Sequence, residues 1–325
     1  VTTALASSAP SVSTSALAVV DARAVLAKHA KSFRFAGLFL PADRLDDAAV
    51  VYAFCRVVDD AIDEAPDRAA AQREAAALAD ELDGRAAPRP AVAAFLQTAA
   101  RLEMDLGFAR GLIEGVAFDA RERVRVPDDA GLLRYCYLVA GTVGGMMCAV
   151  LGVKDPRALP HAVDLGVGMQ LTNICRDVLE DAGRDRVYVP ASRLLAHGVF
   201  DPDGLPGSLR AGRADGSAIA AVVEELLALA DRYYASADAG MRFIPWRSRL
   251  AILVAGRVYR AIGTVLRRRA CDVLQGRVST SLPQKLWQAV RAIGAFVGLG
   301  FAGPTPHDAS LHRALKGLPG SNPAA

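Results

Sequence analysis

Met169-Gln170-Leu171-Thr172-Asn173-Ile174-Cys175-Arg176-Asp177-Val178-Leu179-Glu180-Asp181 is an apolar stretch with polar residues at helical intervals. Asn173, Asp177 and Asp181 recur every four residues, with Gln170 one turn earlier and Arg176 beside the row, so the set occupies one face of a helix. A comparable row lies in Val51-Tyr52-Ala53-Phe54-Cys55-Arg56-Val57-Val58-Asp59-Asp60-Ala61-Ile62-Asp63-Glu64, where Tyr52, Arg56, Asp59 and Asp63 step by four, three and four. Carboxylates at i,i+4 repel unless something neutralises them. Either row alone reads equally well as a solvated helix end. Two otherwise apolar helices, each with paired acids and a neighbouring Arg, predict acids that line one cavity mouth around cations. The donors are all oxygen, which suits Mg²⁺ rather than zinc. Mg²⁺ uses few protein carboxylates and completes its shell with water and substrate phosphates, so the implied substrate is a diphosphate. No GxxxxGK[ST] loop is present, and the His residues are scattered along the sequence.

The rest of the chain suits a helical frame for such a site. Its 325 residues are 52% hydrophobic but only 6% aromatic, and the surplus is Ala, Val and Leu, which favours helices over strands. Helices are predicted over 19–31, 43–64, 67–83, 89–101, 104–118, 128–152, 156–181, 216–240, 246–274 and 283–300, with 182–215 as the longest irregular stretch. The reading is one all-α domain over 19–302, an N-terminal tail over 1–18 and a C-terminal tail over 303–325. No Lys or Arg precedes Arg23, so the first residues do not read as a signal peptide. Five cysteines without a CxxC pair predict neither a disulfide framework nor a zinc site, and suit a reducing cytoplasm.

Charge is segregated. The net value of +3 argues against a protein built to grip nucleic acid. Arg242, Arg247, Arg249, Arg257, Arg260, Arg267, Arg268 and Arg269 follow one another without an intervening acid. Some, such as Arg260 beside Tyr259, are expected to point at diphosphate and others at an anionic membrane surface; a solvated basic face is the plainer reading for most of them. Tyr135–Val153 carries no charge, and its glycines and the lack of a second such stretch favour a buried helix over a membrane span.

Together with three further segments, the two acidic rows resemble the squalene/phytoene synthase family. Lys31-Ser32-Phe33-Arg34-Phe35, with His29 just before it, is similar to the family's N-terminal Ser-Phe motif. Tyr135-Cys136-Tyr137-Leu138-Val139-Ala140-Gly141-Thr142-Val143-Gly144 is similar to its central motif, and Arg186-Val187-Tyr188-Val189-Pro190 follows the second acidic row at the family's distance. The resemblance implies an isoprenoid-synthase fold, a single helical domain around a central cavity. It implies head-to-head condensation of two prenyl diphosphates through a cyclopropyl diphosphate. Asp59, Asp63, Asn173, Asp177 and Asp181 would hold two or three Mg²⁺ ions, with Mn²⁺ as a substitute. Tyr52, Arg56, Gln170, Arg176, Tyr259 and Arg260, with His29, Ser32 and Phe33, would contact substrate, and Tyr135 and Tyr188 would lie near the reacting carbons. Gly37 stands where the family can carry a larger residue, and a smaller one there lengthens a prenyl channel.

Two C20 diphosphates giving phytoene, without a reductant, are the leading expectation. A C30 enzyme making squalene, dehydrosqualene or presqualene diphosphate from two C15 diphosphates is the alternative. A cyclising terpene synthase and a non-enzymatic helical lipid-binding protein are further readings, and the five ordered segments favour condensation over both. Long apolar substrates and products imply a cytoplasmic protein that touches the membrane peripherally.

Overall fold

Proline collects at the joints of this chain, and the Ala-, Leu- and Val-rich segments between them coil into helices. The computed structural model describes residues 22–23, 37–298 and 306–321. The helices are α1 (Ala42–Asp63), α2 (Arg68–Leu82), α3 (Pro90–Arg101), α4 (Leu106–Phe118), α5 (Asp129–Cys136), α6 (Thr142–Leu151), α7 (Ala158–Gly183), α8 (Ala191–Ala196), α9 (Leu205–Arg210), α10 (Gly216–Gly240), α11 (Trp246–Arg268) and α12 (Leu282–Gly298). Aspartates open several of them: Asp67, Asp105, Asp128 and Asp215 each accept a backbone N–H of the first turn.

Helices α1 to α4 and α6 share one apolar core, in which Phe54 and Phe95 stack at 4.0 Å. A second core joins α5, α7 and α10, and a smaller one holds α12 against α11. The uncharged segment belongs to the interior. It runs as α5, a wide π turn over Tyr137–Gly141, and α6, wedged between α4 and α7. Glycines set the closeness of this contact. A Cβ on Gly144 would lie 2.1 Å from the Ala162 carbonyl oxygen, and one on Gly166 would lie 2.2 Å from that of Ala140.

Three differences from the sequence reading have local causes. Helix α11 stops at Arg268 rather than running to 274, because Ala270 and Cys271 turn into the left-handed region with φ of 53° and 56°. The stretch 182–215 is not irregular: it contains α8, α9 and a strand, each too short to show a period. That strand, β2 (Arg186–Val187), pairs in parallel with β1 (Val124–Arg125), Val124 opposite Arg186. The pair ties the loop after α4 to the loop after α7. Finally, residues 306–321, set apart as tail in the sequence reading, pack on the helical body: the Tyr137 hydroxyl donates to the Pro319 carbonyl at 2.8 Å and that of Tyr233 to Leu311 at 2.7 Å. Of the first predicted helix, 19–31, only residues 22 and 23 fall among those described.

Candidate active site

The two acidic rows face each other across one opening. Tyr52 and Asp59 from α1, Gln170 and Asn173 from α7, and Tyr259 from α11 line the polar end of a cavity of about 380 Å³. Apart from His161, its remaining walls are largely apolar and come from α1, α4, the π turn, α6, α7, α10 and α11, including Val51, Val143, Met147, Leu165 and Ile252. Asp63 sits further along the α1 row and accepts from Arg186 of β2 at 3.2 Å, which links the two rows. The parallel strand pair accounts for that reach, since β2 leaves α7 directly.

The mouth is rich in negative charge. Asp59 is open to water, yet the surrounding walls and the carboxylates of Asp63, Asp60 and Asp119 push its pKa up to about 7, against the pull of Arg56. Asp181 is likewise pushed to about 7 by burial and by Asp177, with Arg186 opposing. Arg56 is engaged by Asp60, one turn along α1, with Nε 3.0 Å from Oδ2. Arg176 forks onto Asp177, its Nε 2.7 Å from Oδ1. Burial and the Asp177 charge raise Tyr259, with Arg176 and Arg277 opposing.

Residues that the sequence reading did not single out complete the mouth. Asp119, just past α4, accepts from Tyr135 at 3.0 Å and from Tyr188 at 2.7 Å, and adds its charge to both Asp59 and Asp181. Burial raises Asp119 despite these hydrogen bonds, and both phenols are raised by burial and by Asp119. Arg277, in the link between α11 and α12, lies 3.1 Å from Asp177 Oδ1 and 3.3 Å from Glu180. An acid closing the mostly apolar α4 was the available signal for Asp119; Arg277 had none, because its position depends on the turn after α11.

The structure brings Tyr52, Arg56, Asp59, Asp63, Gln170, Asn173, Arg176, Asp177, Asp181 and Tyr259 to this mouth, with Tyr135 and Tyr188 grouped on Asp119. Arg260 does not join them. It turns to Asp231 on α10, with Nε 2.8 Å from Oδ1. His29, Ser32 and Phe33 lie outside the described residues.

The residues at the mouth fit hard divalent cations. The donors are oxygen throughout, Asp59 and Asp181 stay raised although Arg56 and Arg186 oppose the shift, and among the described residues Asn173 Oδ1 is a buried acceptor without a hydrogen-bond partner. A different cluster corrects the view that the histidines are scattered. Three of the five converge near α7, where Asp164 accepts from His307 Nε2 at 2.8 Å and is 2.7 Å from His312 Nε2. Ser236 also bonds Asp164, and His161 Nδ1 lies 3.0 Å from the Ser236 hydroxyl. Asp164, His307 and His312 have the residue types of a metal site. Their separations are those of hydrogen bonds, and they work here as a clasp on residues 306–321. All five cysteines are free thiols.

The sequence profile described as squalene/phytoene synthase matches residues 26–284. Over 264 residues the chain is 38% identical to a phytoene synthase of Rhodobacter capsulatus, covering 79% of this chain and 75% of that protein. It is 37% identical over 295 residues to a 15-cis-phytoene synthase of Enterobacter agglomerans, covering 86% and 97%. A presqualene diphosphate synthase of Rhodopseudomonas palustris is 31% identical over 260 residues, covering 79% and 89%. A crystal structure of a dehydrosqualene synthase superposes with a TM-score of 0.74 at 24% identity, covering 87% of this chain and 98% of that one. A squalene synthase from Alicyclobacillus acidocaldarius superposes at 0.67 with 25% identity, covering 79% and 95%. The fold is the isoprenoid-synthase fold, and by profile, sequence relatives and architecture the chain belongs to the squalene/phytoene synthase family.

Proposed function

We propose that this prenyltransferase is a phytoene synthase, joining two geranylgeranyl diphosphates through prephytoene diphosphate to phytoene. The observation that carries the reading is the opposition of two carboxylate rows at the mouth of a largely apolar cavity. Chain length is inferred from the relatives named phytoene synthase, at 38% and 37% identity against 31% for the presqualene diphosphate synthase. The latter supports a C30 enzyme as the second reading.

In this reading Asp59, Asp63, Asn173, Asp177 and Asp181 hold Mg²⁺, or Mn²⁺ in its place. Bound there, the ions neutralise the diphosphate and make it a leaving group. Arg176 and Arg56 exchange a carboxylate partner for diphosphate oxygens, and Gln170, Tyr52 and Tyr259 orient the first isoprene unit. His29, Ser32 and Phe33 belong to the same substrate contact. Tyr135 and Tyr188 stand near the reacting carbons as neutral phenols. The apolar walls exclude water from the allylic cation. Two diphosphates and two protons leave as the C40 hydrocarbon forms, so no reductant is required. The setting is cytoplasmic, with a peripheral contact to the membrane that takes up the product.

Incubation of the purified protein with geranylgeranyl diphosphate and Mg²⁺ tests the proposal, with farnesyl diphosphate and NADPH in parallel arms. A C40 hydrocarbon is expected, and turnover of only the C15 substrate would reject the chain length. Asp59→Ala or Asp177→Ala should abolish product; unchanged product would reject the metal assignment.

A further inference from the structure

Helix α12 is amphipathic the wrong way round for a soluble surface. Its inner positions, Ala289, Ala292 and Phe296, pack on α11. Its outer positions Leu282, Leu286, Trp287, Val290, Ile293 and Val297 are each between 50% and 63% exposed. At 100° per residue they span one continuous face whose other exposed members are Pro283, Gly294 and Gly298, and it ends at Arg291. An apolar face of this extent on a monomer marks an interaction site.

Three observations identify its partner. The first is charge: no acid occurs between Asp272 and Asp308, and a groove along the edge of α12 brings Arg257, Arg260, Arg267 and Arg291 together, four cations against Asp231 in the groove and Glu224 and Asp238 beside it on α10. Arg260 and Arg267 share that carboxylate, whereas Arg257 Nε is buried without a hydrogen-bond partner. The second is aromatic placement. The chain has two tryptophans, Trp246 and Trp287, both lie on the α11–α12 hairpin, and both are more than 60% exposed. The third is position. Phe39 packs into the α11–α12 core while its neighbours Gly37 and Leu40 line the cavity, so the rim of the cavity adjoins this hairpin.

We infer that the exposed face of α12 docks in the plane of an anionic lipid bilayer, with headgroup phosphate in the arginine groove. This rests on the proposed function only for its purpose, the passage of prenyl chains between bilayer and cavity. It also extends the membrane contact expected of the Arg-rich segment onto the neighbouring helix.

The test is flotation of the full chain with phosphatidylcholine vesicles, with and without phosphatidylglycerol, read also by tryptophan emission. The wild type should float with the anionic vesicles and shift its emission to the blue. L286S/V290S/I293S, on the solvent face, should bind about tenfold more weakly or worse. Arg291→Gln should cost about fivefold on anionic vesicles alone. Both variants should keep wild-type helical content and wild-type turnover of detergent-dispersed substrate. A wild type that stays down, or a triple variant that floats equally well, overturns the inference. So does a wild-type dimer that the triple variant dissociates without any flotation, since the face would then join two copies. Flotation by a protein without prenyltransferase activity would instead reject the function and leave the docking surface standing.

Discussion

Tyr135 and Tyr188 stack with ring centroids 4.7 Å apart, and both hydroxyls donate to one carboxylate, Asp119. One side chain thereby fixes two aromatic rings and adds negative charge beneath the acidic rows. Asp119→Asn keeps the shape but weakens both charge-assisted bonds, each worth about 1.5–3 kcal/mol. Turnover should fall about 10- to 100-fold. Steady-state product formation checks this, with circular dichroism to show an intact fold.

Gly37 lines the cavity, and a Cβ there would already lie 3.3 Å from Leu45 Cδ1. A phenylalanine at this position must extend into the prenyl channel. Gly37→Phe should therefore shift the preference from the C20 toward the C15 diphosphate. A competition assay with both substrates reads the ratio; an unchanged ratio would show that the chain terminates elsewhere.

The contact between α7 and the π turn depends on bare backbone at Gly166. Gly166→Ala would press a methyl group into the Ala140 carbonyl, so the two helices must separate. The expected loss is about 1–3 kcal/mol, the range of overpacking in cores. A urea titration followed by circular dichroism would detect it as a lower midpoint with unchanged slope.

The clasp on residues 306–321 should respond to pH. Burial alone would raise Asp164, but hydrogen bonds from His307 and His312 hold it below 3.8. Burial alone would lower His312, but Asp164 holds it above 6.5. The Asp164 contribution is present above 3.8 and lost as pH falls through its lowered value. The His312 contribution is complete below 6.5 and lost as pH rises through its raised value. His161 is lowered by burial and by His307, so acidification below 6.5 subtracts part of the gain. Hydrogen exchange in 306–321 should thus be slower at pH 6 than expected from its rate at pH 9 after correction for intrinsic exchange. His312→Gln should remove most of that difference.

The acidic rows were legible because a helix writes its face into the sequence every third or fourth residue. Asp59, Asp63, Asn173, Asp177 and Asp181 all obey that period, and the buried Tyr135–Val153 segment announced itself by lacking charge. Asp119 and Arg277 belong to connections, where no period exists, and only the packing of α4 and the left-handed turn after α11 bring them to the mouth. Arg260 looked suited to diphosphate by its neighbour Tyr259, but Asp231 on α10 captures it. The closing segment read as tail from its Gly, Pro and Ser content. Its anchors, the Tyr137 and Tyr233 hydroxyls and Asp164, lie well over a hundred or seventy residues away in sequence and gave no local signal.

Asp164 and Asp177 stand on the same helix, α7, about 20 Å apart along its axis. Shortening the protein ahead of His307 would strip Asp164 of both imidazole partners and of the segment that covers it. That loss falls on the rod that carries the second acidic row, so trimming the C-terminus should cripple turnover although the mouth itself is untouched. Tags and fusion partners belong beyond Ser321, past the Pro319 carbonyl that Tyr137 holds and the Ser321 carbonyl that meets His312.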